Sequence, residues 1–135
     1  HIEVEVKAVE CADTAWQIPQ TFQQQLQGFE HCAMITSFDH KIHQALQQQH
    51  SAFKRGLLIE DARGQQAIQD ALDLGCCQIG WMDELATDEL IHATQQAQLS
   101  ISVWTVNEIE RAKHLRNLGI QGLITDYPAR MLQHL

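Results

Sequence analysis

Three charged side chains alternate with apolar residues at the start of the chain. Glu3, Glu5 and Lys7 lie in and directly after a strand-length apolar segment, residues 2–6. Successive side chains of a strand point to opposite faces, so the three charges share one face. A central strand of a parallel sheet is normally apolar on both faces, and a charged row there indicates a polar interior or a site. An edge strand with its charges in solvent is the alternative.

The chemistry open to this row is the binding of a cation and a phosphate. Glu5 could bind a divalent metal ion through its carboxylate, and Lys7 could contact a phosphate oxygen from the same side of the strand. Hard oxygen ligands favour magnesium or calcium. Because Glu-x-Lys is also a common surface pattern, these two residues need support from the rest of the chain.

Trp104 is a second candidate, near the carboxyl end of the apolar segment 101–106. Alternation places it opposite Ile101 and Val103 and on the same face as Ser100 and Ser102. Active sites of barrels and doubly wound sheets lie at the carboxyl ends of their strands, so Trp104 could form a wall of a substrate pocket. The alternative is a tryptophan of the hydrophobic core.

The eight histidines and four cysteines carry weaker signals. His40 and His43 have a spacing that can share a helix face, but no second pair or acidic partner stands at zinc-motif spacing, which predicts scattered surface histidines. The cysteines contain no Cys-x-x-Cys pair, which predicts reduced thiols. No nucleophile elbow, P-loop or Gly-x-Gly-x-x-Gly motif supports a nucleotide-binding fold.

Charge and hydropathy exclude several classes of partner. A formal net charge of -8 and a pI near 5.3 give no broad attraction for nucleic acid or anionic lipid, so an anionic substrate would need a local positive site. No apolar run approaches the roughly 20 residues of a membrane span. We expect a soluble protein without nucleic-acid partners. A cytoplasmic location is favoured, and a periplasmic or secreted one stays open because the chain opens at His1 without a methionine.

Strand and helix patterns alternate along the chain and predict a parallel α/β sheet. The helical segments are 65–74, which Gly75 ends, 88–97 with Thr87 as its cap, and 107–118 with Asn107 as its cap. Such a sheet is either an open doubly wound layer or a closed barrel, and periodicity alone does not choose. The strand-length apolar runs are residues 2–6, 33–38, 56–59, 76–82, 101–106 and 122–125.

Five blocks of residues, taken in order, resemble the later blocks of the glycerophosphodiester phosphodiesterase family. The blocks are Val4-Glu5-Val6-Lys7, Thr36-Ser37-Phe38-Asp39, Arg55-Gly56-Leu57-Leu58, Trp104-Thr105-Val106-Asn107 and Gly122-Leu123-Ile124-Thr125-Asp126-Tyr127-Pro128. The resemblance covers nearly the whole chain and implies a TIM-type (β/α) barrel. The six predicted strands would be its third to eighth, the C-terminal three-quarters of the barrel.

The resemblance also implies an activity and a set of site residues. The reaction would be metal-dependent hydrolysis of a small glycerophosphodiester to an alcohol and glycerol 3-phosphate. Glu5 would be a metal ligand, with magnesium or calcium as the cofactor, and Lys7 a catalytic cation near the phosphate. Phe38 and Trp104 would be substrate-binding pocket walls. The pattern does not predict an oligomeric state.

The early family blocks, His-Arg-Gly, Glu-x-Asp and His-Asp, do not occur in these 135 residues. They would carry the catalytic histidines, the phosphate-binding arginine and two metal carboxylates. We therefore expect residues 1–135 to be a partial barrel domain, inactive alone, with roughly 100 further N-terminal residues in the complete barrel. One alternative is a catalytically silent barrel that binds or regulates. Another is a phospholipase-type phosphodiesterase that releases a cyclic phosphate.

Overall fold

The computed structural model describes residues 2–135 and consists of one parallel sheet with helices between its strands. The sheet has six strands in chain order, and every neighbouring pair is parallel, which confirms the predicted α/β pattern. The strands are β1 (Ile2–Glu5), β2 (Ala33–Ser37), β3 (Lys54–Ile59), β4 (Gln78–Met82), β5 (Ser100–Trp104) and β6 (Gly122–Leu123).

The sheet is curled, as in a TIM-type barrel of which it forms six strands. In a flat sheet, β1 and β6 would lie about 24 Å apart, at a spacing of about 4.8 Å per strand. Glu3 of β1 and Ile124, one residue after β6, instead line the same cavity. The strand order and this curvature confirm the predicted fold class.

Each pair of successive strands is joined by a crossover connection that contains a helix, and the helices cover the outer face of the sheet. The helix predicted over 65–74 ends at Asp73, and Gly75 follows with a left-handed φ of 64°. The helices are α1 (Ala12–Gln25), α2 (His40–Gln48), α3 (Gln65–Asp73), α4 (Asp88–Gln96), α5 (Ile109–Asn117) and α6 (Pro128–His134), with a 3-10 turn at Asp83–Leu85.

One of the two predicted caps is confirmed and the other is wrong. Thr87 caps α4 and accepts a hydrogen bond from the Leu90 backbone N–H at 3.3 Å. Asn107 does not cap α5, since Glu108 occupies that position without a side-chain bond. The Asn107 amide instead donates to Asp126 at 2.8 Å, in the loop after β6.

The hydrophobic core lies between the sheet and the helices. Ile79, Ile101 and Val103 point outward from their strands and are fully buried there. A second apolar cluster, which includes Ile35 and Leu46, lies under α1 and α2. Because side chains alternate, the residues between these outward-facing positions point into the curled interior, where the candidate site lies.

His43 contradicts the prediction of surface histidines, because its side chain is fully buried in α2. Its Nε2 lies 3.0 Å from the Ser37 carbonyl oxygen and its Nδ1 3.6 Å from the Cys76 sulfur. The prediction overlooked that Ile42 and Leu46 place residue 43 near the apolar stripe of the helix. Burial lowers the pKa of His43 to about 4.

All four cysteines carry free thiols, as predicted. Burial raises the pKa of the Cys76 thiol to about 12, so this sulfur stays protonated and unreactive at neutral pH. Among residues 2–135, no helix has both the length and the apolar character needed to cross a bilayer.

Candidate active site

A cavity of about 600 Å³ opens inside the curl, at the carboxyl ends of the strands. This is the end at which α/β barrels hold their active sites. The cavity is lined by Glu3, Glu5, Lys7, Thr36, Phe38, Leu58, Glu60, Trp104, Thr105 and Ile124. All four residues singled out from the sequence, Glu5, Lys7, Phe38 and Trp104, are therefore brought together, while their roles stay predictions.

The charged row of β1 faces this cavity. Lys7 Nζ lies 2.5 Å from Glu5 Oε1, and the Lys7 side chain is 83% exposed. Within residues 2–135, β1 pairs only with β2 and is an edge strand. Both sequence interpretations thus hold in part, since the strand lies at an edge and its charges still line a cavity.

Glu3 is held from the other side of the curl. Gln78 of β4 donates from Nε2 to Glu3 Oε1 at 2.7 Å, and the same nitrogen lies 3.3 Å from the Ser102 hydroxyl of β5. Desolvation within the cavity raises the pKa of the Glu3 carboxyl, and the hydrogen bond from Gln78 partly opposes this rise. Glu3 was noted in the sequence as part of the charged row but not assigned a role.

An aromatic pair forms another part of the cavity wall. The rings of Phe38 and Trp104 meet edge to face, with centroids 5.5 Å apart and planes at 86°. Trp104 Nε1 donates to the Gly80 carbonyl oxygen at 3.0 Å, which fixes the indole. A Cβ at Gly80 would lie 2.5 Å from Leu58 Cδ2 and 3.6 Å from Trp104 Cδ1, so the glycine leaves room for both side chains.

The loop that follows Trp104 is fixed by a second network of hydrogen bonds. Asn107 Oδ1 accepts from the Thr125 hydroxyl at 3.0 Å and from the Asp126 backbone N–H at 3.1 Å. These bonds join the loop after β5 to the loop after β6. Thr105 and Ile124, which flank the network, both line the cavity.

Sequence reasoning missed Glu60, which follows β3 directly and lines the cavity. The signal was present, since Gly56, Leu58 and Glu60 share one face by alternation in the same way as the row of β1. Because active sites lie at the carboxyl ends of parallel strands, Glu60 could have been predicted as a site residue from its position after the strand.

The donor set agrees in type with a hard divalent cation. Glu3, Glu5 and Glu60 offer carboxylate oxygens to the cavity, the ligand type that magnesium and calcium prefer. Residues 2–135 nevertheless contain no group of three or more His, Cys, Asp or Glu side chains arranged to hold a metal ion. The described residues can supply part of such a site, with Glu5 as the predicted ligand.

The fold and cavity are those of a (β/α) barrel of the TIM type, with its candidate site at the carboxyl ends of the strands. Residues 2–130 match the sequence model of the glycerophosphoryl diester phosphodiesterase family, and the chain belongs to this family. This confirms the resemblance drawn from the five blocks. No curated protein sequence matches the chain.

Solved structures of similar fold are named as phosphodiesterases. A glycerophosphodiester phosphodiesterase from Parabacteroides distasonis is 12% identical, with a TM-score of 0.82 over 97% of this chain and 55% of that one. A phosphodiesterase from Oleispira antarctica, in complex with the product sn-glycerol-3-phosphate, is 14% identical, with a TM-score of 0.80 over 96% and 53%. At these identities the similarity shows the fold. The chain spans about half the length of these structures.

Proposed function

We propose that this protein is a phosphodiesterase that hydrolyses glycerophosphodiesters to an alcohol and glycerol 3-phosphate. Family membership supports the reaction class. The observation that carries the proposal is the cavity that holds Glu5 and Lys7 in contact at 2.5 Å, with Phe38 and Trp104 in its wall. Such a cavity offers a phosphate-binding cation beside a surface for the carbon skeleton of a small substrate.

The charge balance of the cavity supports a role for a divalent metal ion. Lys7 is the one cation among the lining residues that the structure describes, against the carboxylates of Glu3, Glu5 and Glu60. An anionic phosphodiester would be repelled by this excess of carboxylates unless a cation offsets it. We propose magnesium or calcium, held by Glu5 together with ligands outside the described set. When bound, such an ion would polarise the phosphoryl oxygens.

Each candidate residue then has a distinct role. Lys7 places an ammonium where it can bind a phosphoryl oxygen and stabilise charge that develops there. Phe38 and Trp104 contact the apolar edge of the substrate and exclude water from one side of it. The cavity lining within residues 2–135 contains no histidine. We propose that histidines outside this set carry the proton transfers to the leaving alcohol and from the attacking water.

We also propose that residues 1–135 belong to a single barrel domain and supply six of its strands. The parallel order of the strands supports this, since β1 and β6 each pair with one neighbour in the described part of the chain. Two further strands between them would close the curl into a complete barrel.

Phosphorus NMR of a reaction with glycerophosphocholine tests the activity. The complete protein should release glycerol 3-phosphate in the presence of magnesium or calcium, and chelation of the metal should stop the reaction. A cyclic glycerophosphate as the released product would identify the phospholipase-type alternative. Binding without turnover, over a range of glycerophosphodiesters and both metal ions, would identify a silent barrel.

A further inference from the structure

The segment that carries Lys7 leaves the sheet as soon as β1 ends. Residues 6–9 have no regular secondary structure, so ladder hydrogen bonds do not fix them beyond the bond from Val6 N–H to the Thr36 carbonyl oxygen at 2.8 Å. The Lys7 side chain is 83% exposed, and little packing restrains it. The position of its ammonium therefore depends on the backbone of this segment and on the contact of Nζ with Glu5 Oε1 at 2.5 Å.

Two side chains at the carboxyl end of β2 hold that backbone on either side of Lys7. The Ser37 hydroxyl donates to the Val6 carbonyl oxygen at 2.7 Å. The Val9 backbone N–H donates to Asp39 Oδ2 at 3.0 Å. The two hydrogen bonds bracket Lys7 and its neighbour, and together they form a clamp of Ser37 and Asp39.

The clamp is itself fixed by buried groups. Ser37 is fully buried and its hydroxyl oxygen accepts from the Asp39 backbone N–H at 3.0 Å, which leaves its O–H directed at Val6. Asp39 is 9% exposed and caps α2, since its Oδ1 accepts from the Lys41 backbone N–H at 2.9 Å. Lys41 Nζ lies 3.2 Å from Asp39 Oδ2. The clamp thus connects the segment to the end of a strand and the start of a helix.

We propose that Ser37 and Asp39 are positioning residues for Lys7, which they hold against the phosphate through the backbone of residues 6–9. This inference rests on the function proposed above. Neither clamp residue is among those that line the cavity, so each acts through the segment and not on the substrate. Small displacements of a catalytic group lower rates steeply, by about a hundredfold for 1 Å.

Ser37→Ala in the complete protein tests the clamp. It removes one hydrogen bond to the segment, and kcat/KM for glycerophosphocholine should fall about tenfold, mainly through kcat. Ser51→Ala is the matched control. Ser51 also accepts from a backbone N–H two residues on, that of Phe53 at 3.4 Å, but it lies before β3 at the other end of the sheet. This control should keep wild-type kcat.

A double-mutant cycle separates positioning from general destabilisation. If Ser37 acts through Lys7, Ser37→Ala should have no further effect on kcat in a Lys7→Met background. Independent, multiplying effects of the two changes would overturn the proposal. Asp39→Asn provides a second variant. The two carboxylate oxygens of Asp39 accept from the Val9 and Lys41 N–H groups, whereas asparagine has a single acceptor oxygen for both. This variant should lower kcat in the same direction as Ser37→Ala.

Hydrogen exchange gives a readout that does not depend on activity. The amides of Val6 and Val9, which donate to Thr36 and Asp39, should exchange at least tenfold faster in Ser37→Ala and at the wild-type rate in Ser51→Ala. Unchanged exchange in Ser37→Ala would overturn the clamp even if the wild-type protein is active. A wild-type protein that cleaves no glycerophosphodiester, with exchange accelerated as expected, would refute the proposed function and the catalytic role of Lys7 while the clamp itself stands.

Discussion

Gln78 Nε2 donates to Glu3 Oε1 at 2.7 Å and so joins β4 to β1 across the interior of the curled sheet. The carboxylate of Glu5, two residues further along the same face, is instead in contact with Lys7. The acidic residues of β1 are thus held by different partners. Glu3 is held by Gln78 of β4, and Glu5 lies beside the exposed ammonium of Lys7.

Glu5→Gln in the complete protein should retain the fold and lose affinity for divalent ions, because a neutral amide is a weaker ligand for a hard cation than a carboxylate. Isothermal titration calorimetry with magnesium and with calcium measures the effect. Glu89→Gln, on the exposed first turn of α4, is the control and should bind metal as the wild type does. Unaltered metal affinity in Glu5→Gln would remove Glu5 from the site.

Lys7→Met should raise the barrier of the chemical step by roughly 2–4 kcal/mol, because a cation near the phosphoryl group is lost. The fold should survive, since the exposed pair of Lys7 and Glu5 contributes little to stability. Steady-state kinetics with glycerophosphocholine measures kcat/KM. Lys113→Met removes a comparable exposed contact with Glu110 at 2.8 Å on α5 and should leave the kinetics unchanged. Wild-type efficiency in Lys7→Met would rule out its catalytic role.

Trp104→Ala should raise KM for the substrate at least tenfold, whereas Val103→Ala should reduce stability by roughly 2 kcal/mol with little change in KM. The reason is their opposite faces, since Trp104 lines the cavity and Val103 is fully buried under the helices. Urea unfolding and steady-state kinetics on both variants separate the two effects. If Trp104→Ala lost stability alone, the interpretation as a core residue would be correct.

Stability of the complete protein should fall as the pH drops from about 6.5 towards 4. His43 keeps a low pKa of about 4 in the fold, whereas the unfolded chain takes up a proton near the ordinary value. The unfolded state therefore binds more protons in this window, which favours unfolding by about 3 kcal/mol at pH 4. Above pH 6.5 the histidine is neutral in both states and the effect vanishes.

Urea unfolding at pH 7 and pH 4.5 checks this, on the wild type and on His43→Gln. The variant should be less stable at pH 7 and should lose less stability on acidification, since the carboxylates contribute equally to both proteins. His31→Gln, at an exposed position, should follow the wild-type pH dependence. An equal acid sensitivity in wild type and His43→Gln would contradict the assignment.

Alternation was sufficient for the faces of β1 and β5, because it is a local property, whereas the strand order followed from the resemblance to the family. The sequence did not reveal the link from Gln78 to Glu3, since 75 residues separate them and their meeting depends on how far the sheet curls. Asn107 was predicted to cap the helix that follows it, because cap preference is a local property. Its side-chain amide instead forms hydrogen bonds with Asp126 and Thr125 in the loop after β6. The hydrogen-bond partners of Glu3 and Asn107 are thus set by tertiary contacts, which the local sequence pattern does not contain.

A polypeptide of residues 1–135 alone should be neither a stable monomer nor an active phosphodiesterase. In the described part of the chain, β1 and β6 each have an unpaired edge, and such edges recruit other chains. Ile124 beside β6 is 41% exposed, which adds apolar surface there. The polypeptide should therefore aggregate or exchange strands.

Activity should be lost for a separate reason. The cavity within residues 2–135 offers Lys7 and carboxylates but no histidine for proton transfer, and no complete metal-binding group. Size-exclusion chromatography with light scattering, together with a glycerophosphocholine assay, measures both properties, and the complete protein is the positive control. A monodisperse species of 15.4 kDa that cleaves this substrate would contradict both parts of the prediction. It would show that neither stability nor activity depends on further strands or further catalytic groups.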